Sequence, residues 1–208
     1  LCVSVRLLHG WVAGCFWSGV IAAWGLAIVA MLAGAPSTIN GADGREPALP
    51  KDRPLLKMIV AYGLFGFGYV VTATFLVAIV RQGGGGRVFE ATVWMVTGLA
   101  GFPSVWLWQK VAARLGLYAT YALACLVEVV GVAASVIAGG HTGPLLAGVL
   151  LGGTFIALTA LGLQTARQLV PLAPRRIFAV MTASFVLGQI IGPIAAGLLA
   201  QASGNYVS

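Results

Sequence analysis

The sequence is short of charge. Of its 208 residues, 12 are Lys or Arg and 5 are Asp or Glu, so only 8% are charged, about a third of the share usual in a soluble domain. A globular protein of this size cannot clothe its surface with so few charges, which excludes an ordinary cytosolic enzyme. Histidine is scarce too, with only His9 and His141. The three cysteines, Cys2, Cys15 and Cys125, are odd in number and lack metal-ligand spacing, so they read as small packing residues and not as a disulfide framework. No G-x-S-x-G elbow is present for a buried serine nucleophile. Enzymatic activity, a metal site and an organic cofactor are therefore not expected. The net charge of +7 contains no run longer than two adjacent Arg or Lys, so the partner it indicates is a lipid bilayer and not a nucleic acid.

What the sequence has in abundance is apolar length. Hydrophobic residues make up 60%, and the mean hydropathy is +0.98. Six runs of mainly apolar residues, 11–33, 58–80, 92–108, 117–138, 145–163 and 177–200, are long enough to cross a bilayer as helices, which close their own backbone hydrogen bonds in lipid. The expected fold is an all-α, polytopic helical membrane protein. Breakers separate the runs: Pro36, Pro47, Pro50 and Pro54 in a long linker, four glycines at 83–86, and a tight turn at 139–144.

The basic residues orient the spans. Arg45, Lys51, Arg53, Lys57, Lys110, Arg114, Arg167, Arg175 and Arg176 follow spans one, three and five, whereas Arg6, Arg81 and Arg87 lie on the other side. Nine against three places the linker in the cytoplasm and both ends of the chain outside. That arrangement, and a first residue that is not Met, suit a piece of a longer protein.

Glu128 is the one Asp, Glu, Lys or Arg within a span. A charge at that depth costs about 2.5–3.5 kcal/mol on insertion scales. Helical spacing aligns it with Tyr121, Cys125, Gly131 and Ser135, opposite Leu123, Leu126, Val130 and Ile137, so it faces protein. It is a candidate for proton coupling, weighed against a neutral carboxylic acid bonded to a neighbouring helix. In the second span Tyr62, Gly66, Tyr69 and Thr72 share a face that suits a cavity wall, with hydrogen-bonding groups set in apolar surroundings. The fifth span carries Gly148, Gly152, Phe155, Thr159 and Gly162 on one face. In the sixth, Gly188, Gly192 and Ala196 form a small-residue ridge for helix packing, Pro193 removes a backbone donor and should bend the helix, and Gln189 is polar at depth. Its hydrogen bond goes either to a solute or gate or to another helix. Trp11, Trp94, Trp106 and Trp108 fit interfacial belts.

Several stretches carry a family resemblance. Tyr62-Gly-Leu-Phe-Gly-Phe-Gly-Tyr69 with Thr72, Thr74 and Phe75 resembles the seventh helix of YbfB/YjiJ-type transporters of the major facilitator superfamily. Gly101-x-Pro103 with Trp108, Arg114 and Gly116 resembles the segment entering the cytoplasmic loop between helices eight and nine. Gly152-Gly-Thr-Phe155 with Thr159, Ala166, Arg167 and Pro171 is similar to helix ten and its following loop. Thr182, Gly188-Gln-Ile-Ile-Gly-Pro193 and Gly197 are similar to helix eleven.

The resemblance covers about residues 58–200 and implies helices six to eleven of twelve, the remaining helices lying outside this sequence. It divides the chain into the end of an amino-terminal bundle (1–33), a cytoplasmic linker (34–57) and a five-helix carboxyl-terminal bundle (58–208). It implies proton-driven secondary transport of a small solute by alternating access in the bacterial inner membrane, with helices seven and ten lining the cavity. The wall candidates are then Tyr62, Gly66, Tyr69, Thr72, Phe155, Thr159 and Gln189, with Arg114 and Arg167 in the cytoplasmic loops. One departure stands out. The superfamily's loop motif carries an Asp, and 109–116 holds no acid. The alternative function is a non-transporting membrane subunit that packs on a partner through its glycines. Intact mass of the native polypeptide separates the two: the transporter reading predicts about twice 21.4 kDa, and 21.4 kDa itself would favour the subunit.

Overall fold

The computed structural model describes residues 46–82, 86–138 and 140–202, together with Val20, Ala23, Trp24 and Met31, which are helical. The chain divides into two compact units, Leu1–Arg45 and Glu46–Ser208. The rest of the first expected span, Trp11 included, lies outside the described residues. In the second unit six helices follow one another: α1 (Arg53–Gln82), α2 (Gly86–Gly101), α3 (Ser104–Leu115), α4 (Leu117–Ile137), α5 (Thr142–Leu169) and α6 (Pro174–Ala202).

Four of these, α1, α4, α5 and α6, are each long and apolar enough to cross a membrane, and α2 and α3, bent by 43° at their junction, are long and apolar enough only as a pair. The sequence indicated one straight span over 92–108. The structure breaks it at Phe102-Pro103, because proline has no N–H to continue the ladder and its ring crowds the preceding turn. The apolar path lengthens on both sides of the break, so a run that looked short becomes two helices. At the far end of α3, Gly116 has φ +81° and its N–H bonds Ala112 O at 2.9 Å. This left-handed position favours glycine and lets α4 start at once. Pro193 lies inside α6, which runs unbroken from Pro174 to Ala202.

Threonines within the helices turn their hydroxyls back on their own backbone. Thr72 donates to Gly68 O, Thr97 to Val93 O, Thr154 to Leu150 O, Thr159 to Phe155 O and Thr165 to Leu161 O. In hydrocarbon this satisfies the polar group without a partner helix.

Glycines set how closely the helices pack. A Cβ on Gly188 would strike Gly63 O and lie 2.8 Å from Phe67 N, and one on Gly192 would lie 2.9 Å from Phe67 O, so the α6 ridge sits directly on the α1 backbone. Ser184 Oγ donates to Ile59 O across the same seam at 2.7 Å. On the other flank, a Cβ on Gly152 would strike Thr97 O, and one on Gly148 would lie 2.8 Å from Thr97 Oγ1, which brings α5 onto α2. Gly131 of α4 meets Leu150 of α5.

Side chains fill the bundle in two clusters. The larger gathers Met58, Tyr62, Phe65, Tyr121, Leu158, Leu161, Ile177 and Met181. The smaller holds Leu76, Val80, Val93 and Ala147. The outer faces of α4 and α6 expose Leu126, Val130, Ile137, Ile190, Ile194 and Leu198, as lipid-facing surfaces do.

Gly188→Leu is expected to destabilise the bundle by 1–3 kcal/mol or more through overpacking, lowering the temperature at which half the detergent-solubilised protein aggregates. Gly197 has open space where a Cβ would stand, so Gly197→Ala should leave that temperature unchanged or raise it. Equal losses in both variants would contradict the packing described here.

Candidate functional site: an aromatic cleft between α1, α2 and α5

The cleft forms where α1, α2 and α5 meet. Tyr69, Trp94, Thr97, Gly98, Gly101, Leu151, Gly152, Phe155 and Ile156 line a cavity of about 260 Å³. Its floor is a stacked pair, Tyr69 on Phe155, with ring centroids 3.8 Å apart and planes 15° from parallel. Phe65 meets both rings, at 6.4 and 5.9 Å, and Phe185 of α6 stands 5.4 Å from Phe65. The floor is therefore braced from behind by the larger core cluster. Around the pair, Gly152 lets α2 close on α5 and Gly188 holds α6 against the back of α1.

The cleft is apolar with a few hydrogen-bonding groups: the Tyr69 phenol, the Trp94 indole and the Thr97 hydroxyl, whose proton is committed to Val93 O. It offers stacking surface and neutral polar contacts. No group of three His, Cys, Asp or Glu able to hold a metal occurs among the described residues.

The seven wall candidates do not share one place. Tyr69 and Phe155 meet in the cleft. Tyr62 is 3% exposed, packed on Phe65 and Phe185 and paired with the Thr159 side chain. A Cβ on Gly162 would lie 2.6 Å from its ring, so Tyr62 and Thr159 form a closed interhelical contact beneath the stack. Gly66 abuts the Phe185 backbone. Gln189 is half-buried on α6. Thr72 turns away from the cleft into a groove between α1 and α4.

That groove, of about 560 Å³, is lined by Ala61, Leu64, Phe65, Gly68, Thr72, Cys125, Glu128, Val129, Val132 and Ala133. Glu128 is half-buried there, and its Oε1 is buried without a hydrogen-bond partner. Tyr121 Oη is also buried, beside the Cys125 thiol but without a well-formed hydrogen bond. The carboxyl is thus near, but not within, the aromatic cleft.

Two tryptophans have roles that belt positions do not explain. Trp94 lines the cleft, and Trp108 Nε1 donates to Gly153 O at 2.8 Å, tying α3 to α5 just past the proline break. Trp106 behaves as an interfacial residue, with the Lys110 ammonium 3.6 Å over its ring. Trp94 and Thr97 were not among the sequence candidates. The signal that finds them is the i, i+4 spacing of Trp94 to Gly98 and of Thr97 to Gly101 on one face of α2.

Helix ends sort the charges. The starts of α1 and α6 and the ends of α3 and α5 carry Arg53, Lys57, Arg114, Arg167, Arg175 and Arg176. Arg114 is exposed, and Arg167 lines a polar hollow with Leu117, Gln164, Gln168 and Pro171. At the other face Arg81 forms a two-pronged ion pair with Glu90, 3.0 Å at each contact, and that bonding raises the pKa of its guanidinium further. Glu46 accepts backbone N–H bonds from Arg175 (3.1 Å) and Arg176 (3.0 Å), one on each oxygen, capping the first turn of α6.

The apolar helices and glycine-set crossings are those of a polytopic helical membrane protein, and the family comparison says of which kind. The family model described as "Uncharacterised MFS-type transporter YbfB" matches residues 1–208, and the chain belongs to that family. No curated protein and no solved structure matches the chain. The protein is thus a multi-pass membrane protein of a transporter family, and this favours transport over the subunit reading.

Removing the Glu46 cap should cost about 1 kcal/mol. In Glu46→Ala, hydrogen exchange at the Arg175 and Arg176 amides should speed up about fivefold, with Glu46→Gln in between. Unchanged exchange in Glu46→Ala would mean the cap contributes nothing.

Proposed function

We propose that this chain carries part of the path by which a small solute crosses the bacterial inner membrane by alternating access, with the Tyr69–Phe155 cleft as its share of the binding site. The observation that carries the reading is the stacked pair itself. It is an aromatic surface at the junction of three helices, braced behind by Phe65 and open in front to Trp94 and Thr97. Such a wall takes a solute with a flat or apolar face and one or two neutral hydrogen-bonding groups. It has no fixed charge with which to select an ion.

Tyr62 and Thr159 act in this reading as the hinge contact beneath the cleft, and Gln189 as a polar group on the helix that braces it. Glu128 is the proton-coupling candidate. It lies in the next groove, whose α1 wall includes Phe65, a residue that also packs on Tyr69. Gain and loss of a proton there would change the cost of exposing the α1–α4 groove, which is how coupling reaches the cleft without contact to solute.

The test compares the solute content of cells expressing the wild type, Tyr69→Ala, Phe155→Ala and, as a lipid-facing control, Val149→Ala. Solutes whose level depends on the wild type should lose about tenfold of that dependence in the two cleft variants, at equal membrane abundance, and none in the control. Wild-type behaviour of both cleft variants would remove the cleft from the path. For Glu128→Gln, transport should continue down a solute gradient but no longer follow an imposed pH gradient. Full response to the pH gradient would exclude Glu128 from coupling.

A further inference from the structure

A second cavity lies at the basic end of the bundle and has no part in the aromatic cleft. Arg53, Pro54, Lys57, Met58 and Ala61 of α1 and Tyr118 and Tyr121 of α4 enclose about 320 Å³. Arg53 and Lys57 are exposed and stand one turn apart on one face of α1, at i and i+4. They have no ion-pair partner among the described residues. Asp52 adds one negative charge next to them, and Lys51 offsets it, so the mouth remains doubly positive. Both helices begin here with no acidic residue in the first turn, and α4 has no side-chain cap, so its first N–H groups add partial positive charge. Tyr118 is half-exposed at the rim. Tyr121 is 6% exposed and lines the wall, with its hydroxyl unpaired.

The floor of the pocket is apolar. Met58 lies next to Lys57 and Ala61 one turn deeper, and Ala61 also lines the 560 Å³ groove that continues between α1 and α4 past Leu64 and Val129. Leu64 and Val129 are 64% and 62% exposed there. Two cations and a phenol at the membrane surface thus stand over a continuous apolar track. A free phosphate would use only the upper half of this arrangement, and a nucleic acid could not reach the lower half.

We propose that this pocket binds the phosphate headgroup of an anionic phospholipid from the leaflet on the basic side, with one acyl chain lying along the α1–α4 groove. Arg53 and Lys57 hold the phosphate, Tyr118 donates from the rim, and Ala61, Leu64 and Val129 receive the chain. Basic pockets between membrane helices facing the cytoplasm are suited to this ligand because that leaflet carries the anionic lipid. Such a lipid would lie in the groove beside Glu128.

The full chain is purified in detergent with mixed phosphatidylglycerol and phosphatidylcholine, and the lipid retained is measured by native mass spectrometry. Phosphatidylglycerol should be retained in preference to phosphatidylcholine. Arg53→Gln/Lys57→Gln should lower that preference about thirtyfold, on the scale of two lost surface cations. Arg175→Gln/Arg176→Gln removes the same charge from the same face away from the pocket and should leave the preference unchanged. Millimolar inorganic phosphate should not displace the lipid. Three results would overturn the proposal. Equal losses in the two double variants would mean diffuse attraction. Displacement by phosphate would mean an ion site without a lipid. No preference in the wild type would mean that the groove is filled by something else, such as another helix.

Discussion

Everything in this bundle depends on how closely two helix backbones approach when no side chain stands between them. Inside a bilayer the lipid tails are as apolar as the helix faces, so burial of leucine against leucine gives little drive for association. What remains is contact distance. At Gly188 against Gly63 and at Gly152 against Thr97, the chain omits a Cβ where one would collide with backbone. Each omission gives many van der Waals contacts along a seam. It also fixes the lateral position of everything else on those helices.

The aromatic cleft is a consequence of those two seams. One presses α6 against the back of α1 and the other draws α2 onto α5, leaving Tyr69 and Phe155 facing each other at the junction. Phe65, Phe185 and the Tyr62–Thr159 contact fill the space behind and below. The result has a rigid back and an open front, which is the asymmetry a binding wall requires. The α1–α4 flank is different. There the helices stand apart, the groove is larger, and polar groups of α4 lack protein partners. The second unit therefore has one tightly closed side and one loosely closed side, and Glu128, whose Oε1 is buried, lies on the loose one.

Much of this was legible in the sequence, for reasons that are local. Apolar run length and the scarcity of charge give the spans, and the distribution of Arg and Lys along the chain matches the sorting of helix ends. The α4 stripe of Tyr121, Gly131 and Ser135 is buried, and Leu126, Val130 and Ile137 are exposed, as a 3.6-residue period requires. The break at Pro103 was written in the sequence but outweighed by apolar content, since hydropathy does not register a missing N–H. Depth was not legible. Tyr62 and Tyr69 are seven residues apart on one helix face, yet one is sealed by Gly162 and the other opens on the cleft. That difference is made by α5, which the period of α1 does not contain. Trp94 was assigned by residue type to an interface, and Thr97 carried no signal except its spacing to glycines. Glu46 caps a helix 129 residues away in the chain, a pairing that no local pattern encodes.

The central claim is that glycine seams position the walls of the cleft. It is tested most directly by the alkylation rate of a single cysteine at Gly98, a cleft position with open space for a side chain, in protein whose native cysteines are replaced by serine. Gly152→Ala forces α2 away from α5 and should change that rate severalfold. Gly153→Ala, one residue away with nothing within 4 Å of the added carbon, should leave it unaltered. Identical rates in the two variants would contradict the account, because they would mean that the α2–α5 seam does not set the geometry of the cleft.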